Sequence, residues 1–129
     1  MARILMLDDD LDILRVGQKI LNKFNHQVVV SQSKDESEVL LKASNFDLLI
    51  SDCNIGASRE LDFVTRLREC SRNKFLKVMI LSGQPDVRQL VLESRLNVDK
   101  VLEKPLDPLE LANEVGELVH PKLKTAAGE

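Results

Sequence analysis

Leu48-Leu49-Ile50-Ser51-Asp52 is a run of apolar and small residues that ends in a lone carboxylate. A short, continuously apolar run reads as a strand buried on both faces, as strands of a parallel sheet are. In an open parallel sheet ligands bind outside the carboxyl ends of the strands, so Asp52 is offered to chemistry and not to packing. Three other runs end in the same manner: Ile4-Leu5-Met6-Leu7 in Asp8-Asp9, Val78-Met79-Ile80-Leu81 in Ser82, and Val101-Leu102-Glu103 in Lys104-Pro105. If the strands share one sheet, these polar residues converge at a common edge. Carboxylates, a hydroxyl and a lysine gathered there are the parts needed to hold a divalent cation and a phosphoryl group.

The segments between these runs carry helix signals. Asp10 is placed as N-cap of a first helix, whose apolar stripe continues through Ile20, Leu21 and Phe24. Asn25-His26 makes a turn into a second strand at Val28-Val29-Val30, and Ser33-Lys34-Asp35-Glu36 is a capping box opening a helix through Val39-Leu40-Leu41. A glycine-containing loop from Cys53 to Glu60 leads to a helix with Leu61, Val64 and Leu67 on one face. Pro85-Asp86 starts another, with Val87, Leu90, Val91 and Ser94 available to the sheet. Asp107-Pro108-Leu109-Glu110 combines an N-cap, a proline at the first helical position and an acid at the third, so a last helix runs from there to near His120. Five strands alternating with five helices predict a parallel sheet covered on both faces.

At 129 residues, 43% of them hydrophobic, the chain has material for one core and no room for a second domain. A domain over 1–121 followed by a tail or linker start at 122–129 is expected. The net charge of −3, with Lys and Arg scattered, supplies no basic stripe for direct nucleic-acid binding. Cys53 and Cys70 form no metal or disulfide pattern and read as reduced, packed thiols. No apolar run approaches membrane-spanning length, so a cytoplasmic protein is expected, with no membrane partner.

The ordered set Asp8-Asp9, Asp52, Ser82 and Lys104-Pro105 closely resembles the receiver domain of two-component response regulators, over residues 2 to about 120. The resemblance implies a flavodoxin-like strand order 2-1-3-4-5 and a cis peptide before Pro105. It also implies phosphorylation of Asp52 with Mg²⁺ by a sensor histidine kinase or a histidine phosphotransfer protein. On this reading Asp9, Asp52 and the backbone carbonyl of Asn54 ligate Mg²⁺ directly and Asp8 acts through water. Ser82 and Lys104 then meet the phosphoryl oxygens. A downstream partner is expected at the face of the fourth helix, fifth strand and fifth helix. Such a domain is not an enzyme in its own right; it assists only its own phosphorylation and dephosphorylation.

Other roles are available for single residues. Asp10 and Asp12 are read as helix-start charges, Cys53 as a small packed residue, and His26 and His120 as exposed. The chain also departs from the family at three places. Gly56 replaces a usual proline, Glu60 a frequent glycine, and Val101 the Tyr or Phe whose ring moves inward on phosphorylation. Two alternatives follow: a haloacid dehalogenase-like phosphatase built on Asp8-Asp9-Asp10, or a degenerate receiver that docks partners without being phosphorylated.

Overall fold

Five strands form one parallel sheet in the order β2-β1-β3-β4-β5, as the resemblance implied. They are β1 (Arg3–Leu7), β2 (Gln27–Ser31), β3 (Leu48–Asp52), β4 (Lys77–Ser82) and β5 (Lys100–Glu103). The helices are α1 (Leu11–Lys23), α2 (Lys34–Ala43) and a C-terminal helix (Pro108–Val119). The computed structural model describes residues 2–52, 64–67, 69, 76–83 and 98–119. The predicted loop at 53–60, the helix near 86–94, both cysteines, His120 and the tail at 122–129 lie outside the described residues.

Successive strand side chains point to opposite faces, and because both alternating sets are apolar, the sheet separates two cores. Leu5, Leu7, Leu49, Val78, Ile80 and Val101 pack on one side with Leu41 of α2 and with Val64 and Leu67 of a helical stretch at 64–67. Ile4, Met6, Leu48, Ile50, Met79, Leu81 and Leu102 pack on the other, against Leu14 and Leu21 of α1 and Leu111 and Val115 of the C-terminal helix. Leu48, Leu49 and Ile50 are fully buried, each contributing about 2 kcal/mol of apolar transfer free energy. Burial on both faces is what makes β3 a rigid support for Asp52.

The caps form where the sequence places them. Asp10 accepts from the Asp12 N–H at 2.9 Å, Ser33 from Glu36 at 3.1 Å and Asp107 from Leu109 at 3.0 Å. On α1 the buried residues are Leu14, Gly17 and Leu21. Gly17 sits at a close approach, where a Cβ would meet the Met6 thioether and the flexible end of that side chain would have to shift. Phe24, predicted to extend the stripe, caps the C-terminus of α1 instead and is 52% exposed. Val39 likewise faces outward while Leu41 is buried.

Asn25 takes a left-handed φ of 68°, which its short polar side chain tolerates. That sharp turn swings His26 inward. Contrary to the sequence expectation, His26 is buried, and its Nδ1 accepts from the Ala2 N–H at 3.2 Å. The imidazole thereby satisfies the start of β1, a role invisible in local polarity. Val101 is also buried, within the α2-side core.

Candidate functional site at the carboxyl edge of the sheet

The strand register brings the predicted residues together. Leu7 pairs with Ser51, so Asp8 and Asp52 follow side by side at the ends of β1 and β3. Asp52 pairs with Leu81, which makes Ser82 the next residue along β4, and Ser82 in turn faces Glu103. The Lys104 N–H donates to the Ser82 carbonyl at 2.7 Å, fixing the start of the loop after β5, and the Lys104–Pro105 peptide is cis. Four strand ends therefore meet at one edge.

Lys104 reaches across that edge. Its Nζ donates to Asp52 Oδ1 at 2.7 Å and to Asp8 Oδ2 at 3.2 Å. The other Asp8 oxygen accepts from the Asp10 N–H at 2.8 Å. Asp8 is thus engaged on both oxygens and buried, whereas Asp9 is exposed. Each of Asp8, Asp9 and Asp52 places a carboxylate oxygen within 4.8 Å of those of the other two. Ser82 is fully buried beside them at the end of β4. Asn54 lies outside the described residues.

Burial dominates the electrostatics. It pushes the Asp52 carboxyl up to about 6 from 3.8, with Lys104 opposing the rise and the Asp8 and Asp9 charges adding to it. Asp8 is raised as well, chiefly by burial, against the pull of the Asp10 N–H and Lys104. Burial works against the Lys104 ammonium, but Asp52 and Asp8 outweigh it and raise its pKa. Three carboxylates facing one ammonium leave a surplus of two negative charges. A hard, oxygen-seeking divalent cation fits that donor set in both charge and chemistry.

Two features escaped the sequence reading. The Asp10 backbone N–H holds Asp8 while the Asp10 side chain caps α1, so one residue joins the helix start to the acid pair. An apolar groove of about 470 Å³ beside the site is lined by Ile13, Val16, Pro105 and Leu106 together with Asp12 and Lys104. Its one sequence signal is Val16, which falls outside the buried spacing of Leu14, Gly17 and Leu21. Among the described residues, no helix is long and apolar enough to cross a membrane.

The response regulator receiver domain model matches residues 4–116. The alginate biosynthesis transcriptional regulatory protein AlgB of Pseudomonas aeruginosa is 28% identical over 110 residues, which is 85% of this chain and 24% of AlgB. The transcriptional regulatory protein YvrH of Bacillus subtilis is 26% identical over 112 residues, 86% of this chain and 46% of YvrH. The chain therefore spans about a quarter of the length of the one and just under half of the other. In fold it is similar to the chemotaxis response regulator CheY4 of Vibrio cholerae, with a TM-score of 0.82 at 23% identity over 92% of this chain and 98% of that one. The family match over nearly the whole sheet agrees with the edge built from its strand ends: the chain belongs to the response regulator receiver domain family of two-component signalling.

Proposed function

We propose that Asp52 accepts a phosphoryl group from the phosphohistidine of a sensor histidine kinase or histidine phosphotransfer protein. The observation that carries this reading is the position of the Asp52 carboxylate, which ends the central strand within reach of both Lys104 and the acid pair. An Asp52 oxygen attacks phosphorus; the P–N bond breaks, its electron pair returns to the donor imidazole, and an acyl phosphate forms on Asp52. Lys104, already held between Asp52 and Asp8, meets the charge on the transferring oxygens, and the Ser82 hydroxyl donates to one of them. Asp9, Asp52 and the Asn54 carbonyl would hold Mg²⁺, with Asp8 acting through water, and the ion would supply further positive charge against those oxygens. Engagement of both Asp8 oxygens supports that indirect role.

The chain undergoes stoichiometric, labile modification and does not turn substrate over. The modified form signals to a downstream partner at the face of the fourth helix, β5 and the C-terminal helix, without touching nucleic acid itself. Intact-mass measurement with acetyl phosphate and Mg²⁺ tests this. One phosphoryl group is expected on the wild type and none on Asp52→Asn; an equal shift in the variant would remove Asp52 as acceptor.

A further inference from the structure

The Asp8 side chain is closed off from solvent, so its orientation is set by the groups it bonds. Its backbone is fixed by the sheet, because the Asp8 N–H donates to the Ser31 carbonyl at 3.1 Å. The carboxylate meets Lys104 through Oδ2 and the Asp10 N–H through Oδ1. Lys104 is shared with Asp52 at the shorter distance of 2.7 Å, and in the phosphoacceptor reading the incoming oxygens draw on it as well. That leaves the Asp10 N–H, at 2.8 Å, as the contact that keeps Asp8 oriented. A hydrogen bond from an N–H to a carboxylate is of the stronger, charge-assisted kind.

The direction of that N–H depends on the Asp10 side chain. Asp10 stands at φ −93° and ψ 109°, outside the helical region, as the N-cap of α1. Its carboxylate accepts from the Asp12 N–H at 2.9 Å and its carbonyl from the Leu14 N–H at 3.2 Å. The residue is thereby pinned to α1 while its own N–H reaches back to Asp8. Because Asp10 is exposed, these bonds and not packing hold the pose.

We infer that Asp10 is a positioning residue for the acid cluster: its side-chain cap aims the Asp10 N–H at Asp8, and Asp8 so held keeps the cluster fit for a divalent cation. The role belongs to the capping oxygen and not to the negative charge. It rests on the reading of Asp8, Asp9 and Asp52 as the Mg²⁺ site. Partners that orient the groups around a metal are typically worth about 10–100-fold in its affinity.

Four variants separate the cap from the charge. Asp10→Asn and Asp10→Ser keep a capping oxygen and lose the charge; Asp10→Glu keeps the charge on a side chain too long to cap well; Asp10→Ala loses both. Isothermal titration with Mg²⁺, well below the melting temperature and at about 0.15 M salt to screen the exposed charge, reads the affinity of the folded protein. Asn and Ser should bind within about threefold of wild type, and Ala and Glu about tenfold more weakly. In metal-free protein the amide proton of residue 10 should resonate far downfield in wild type, Asn and Ser, and move upfield in Ala and Glu. That signature involves neither metal nor phosphoryl transfer. An Ala variant that melts earlier but keeps both its Mg²⁺ affinity and its amide shift would reduce Asp10 to a helix cap and overturn the inference. Affinity that follows charge, with Glu like wild type and Asn and Ser as weak as Ala, overturns it too. A wild type that binds no Mg²⁺ removes the metal site and the inference together, whereas normal wild-type binding with equal affinity in all four variants removes the inference alone.

Discussion

Lys104 approaches Asp52 to 2.7 Å although β4 lies between β3, which ends in Asp52, and β5, which Lys104 follows. The long side chain crosses the end of β4 and, through its second contact with Asp8, ties β5 to β3 and β1 at one point. The ammonium is the local counter-charge to two buried acids before any metal enters.

Replacing Lys104 with Met should therefore destabilise the metal-free protein at pH 7 by about 3 kcal/mol, the usual cost of leaving buried charge without its partner. At pH 5 the loss should be smaller, because the stranded carboxylates take up protons. Urea unfolding with a chelator at both values checks this; an equal loss at both would show that packing of the lysine stem is the cause.

Asp52 also predicts the pH dependence of the wild type. Its folded pKa of about 6 lies above the ordinary carboxyl value of 3.8, so the folded state binds this proton more tightly than the unfolded state does. The stabilisation is fully present below 3.8 and is lost as pH rises through 6. The Asp52 contribution should fall by about 3 kcal/mol across that window in metal-free buffer, and Asp8, shifted in the same direction, adds to it. Asp52→Asn should flatten the profile and raise the melting temperature at pH 7. An unchanged slope in that variant would place the dependence elsewhere.

Asp9 is the exposed member of the acid cluster, so its loss should cost the fold little while weakening metal binding. Ligand binding to the native state raises stability by mass action. Thermal melts of Asp9→Ala should show a Mg²⁺-induced rise much smaller than that of wild type. A rise of equal size would exclude Asp9 as a ligand.

His26→Ala should cost about 2 kcal/mol, since it leaves the buried Ala2 N–H without an acceptor and opens space behind it. Denaturant midpoints measure this. A change within a few tenths of a kcal/mol would mean that water replaces the imidazole there.

The legible parts of the chain were those encoded locally. The apolar runs marked all five strands to within about a residue, because a strand buried on both faces has no other composition. Asp10, Ser33 and Asp107 announced their helices because a cap is chemistry between near neighbours. What stayed hidden depended on distant partners. The burial of His26 follows from Ala2, 24 residues away. Gly17 and Ser37 are buried where elements approach closely, yet neither adds to an apolar stripe. Phe24 and Val39 do fit the apolar pattern but point outward, because periodicity ranks residues by polarity and does not locate the edge of a face.

The two-sided burial of the sheet has a consequence for how the strands find their alignment. In a sheet with one wet face, sliding a strand by one residue would expose its apolar set. Here both faces are dry, so such a slide of β3 along β1 would merely exchange one apolar core for the other. What the slide cannot do is spare an aspartate. With Leu7 across from Ser51, a step one way sets Asp52 opposite Leu7 and a step the other way sets Asp8 opposite Ser51, and either offset disturbs the shared contact with Lys104 that compensates the burial of both acids. The acids at the edge thus serve as alignment marks during assembly. Asn at position 52 keeps such a mark, and an apolar residue there erases it, inviting mispaired and aggregating chains.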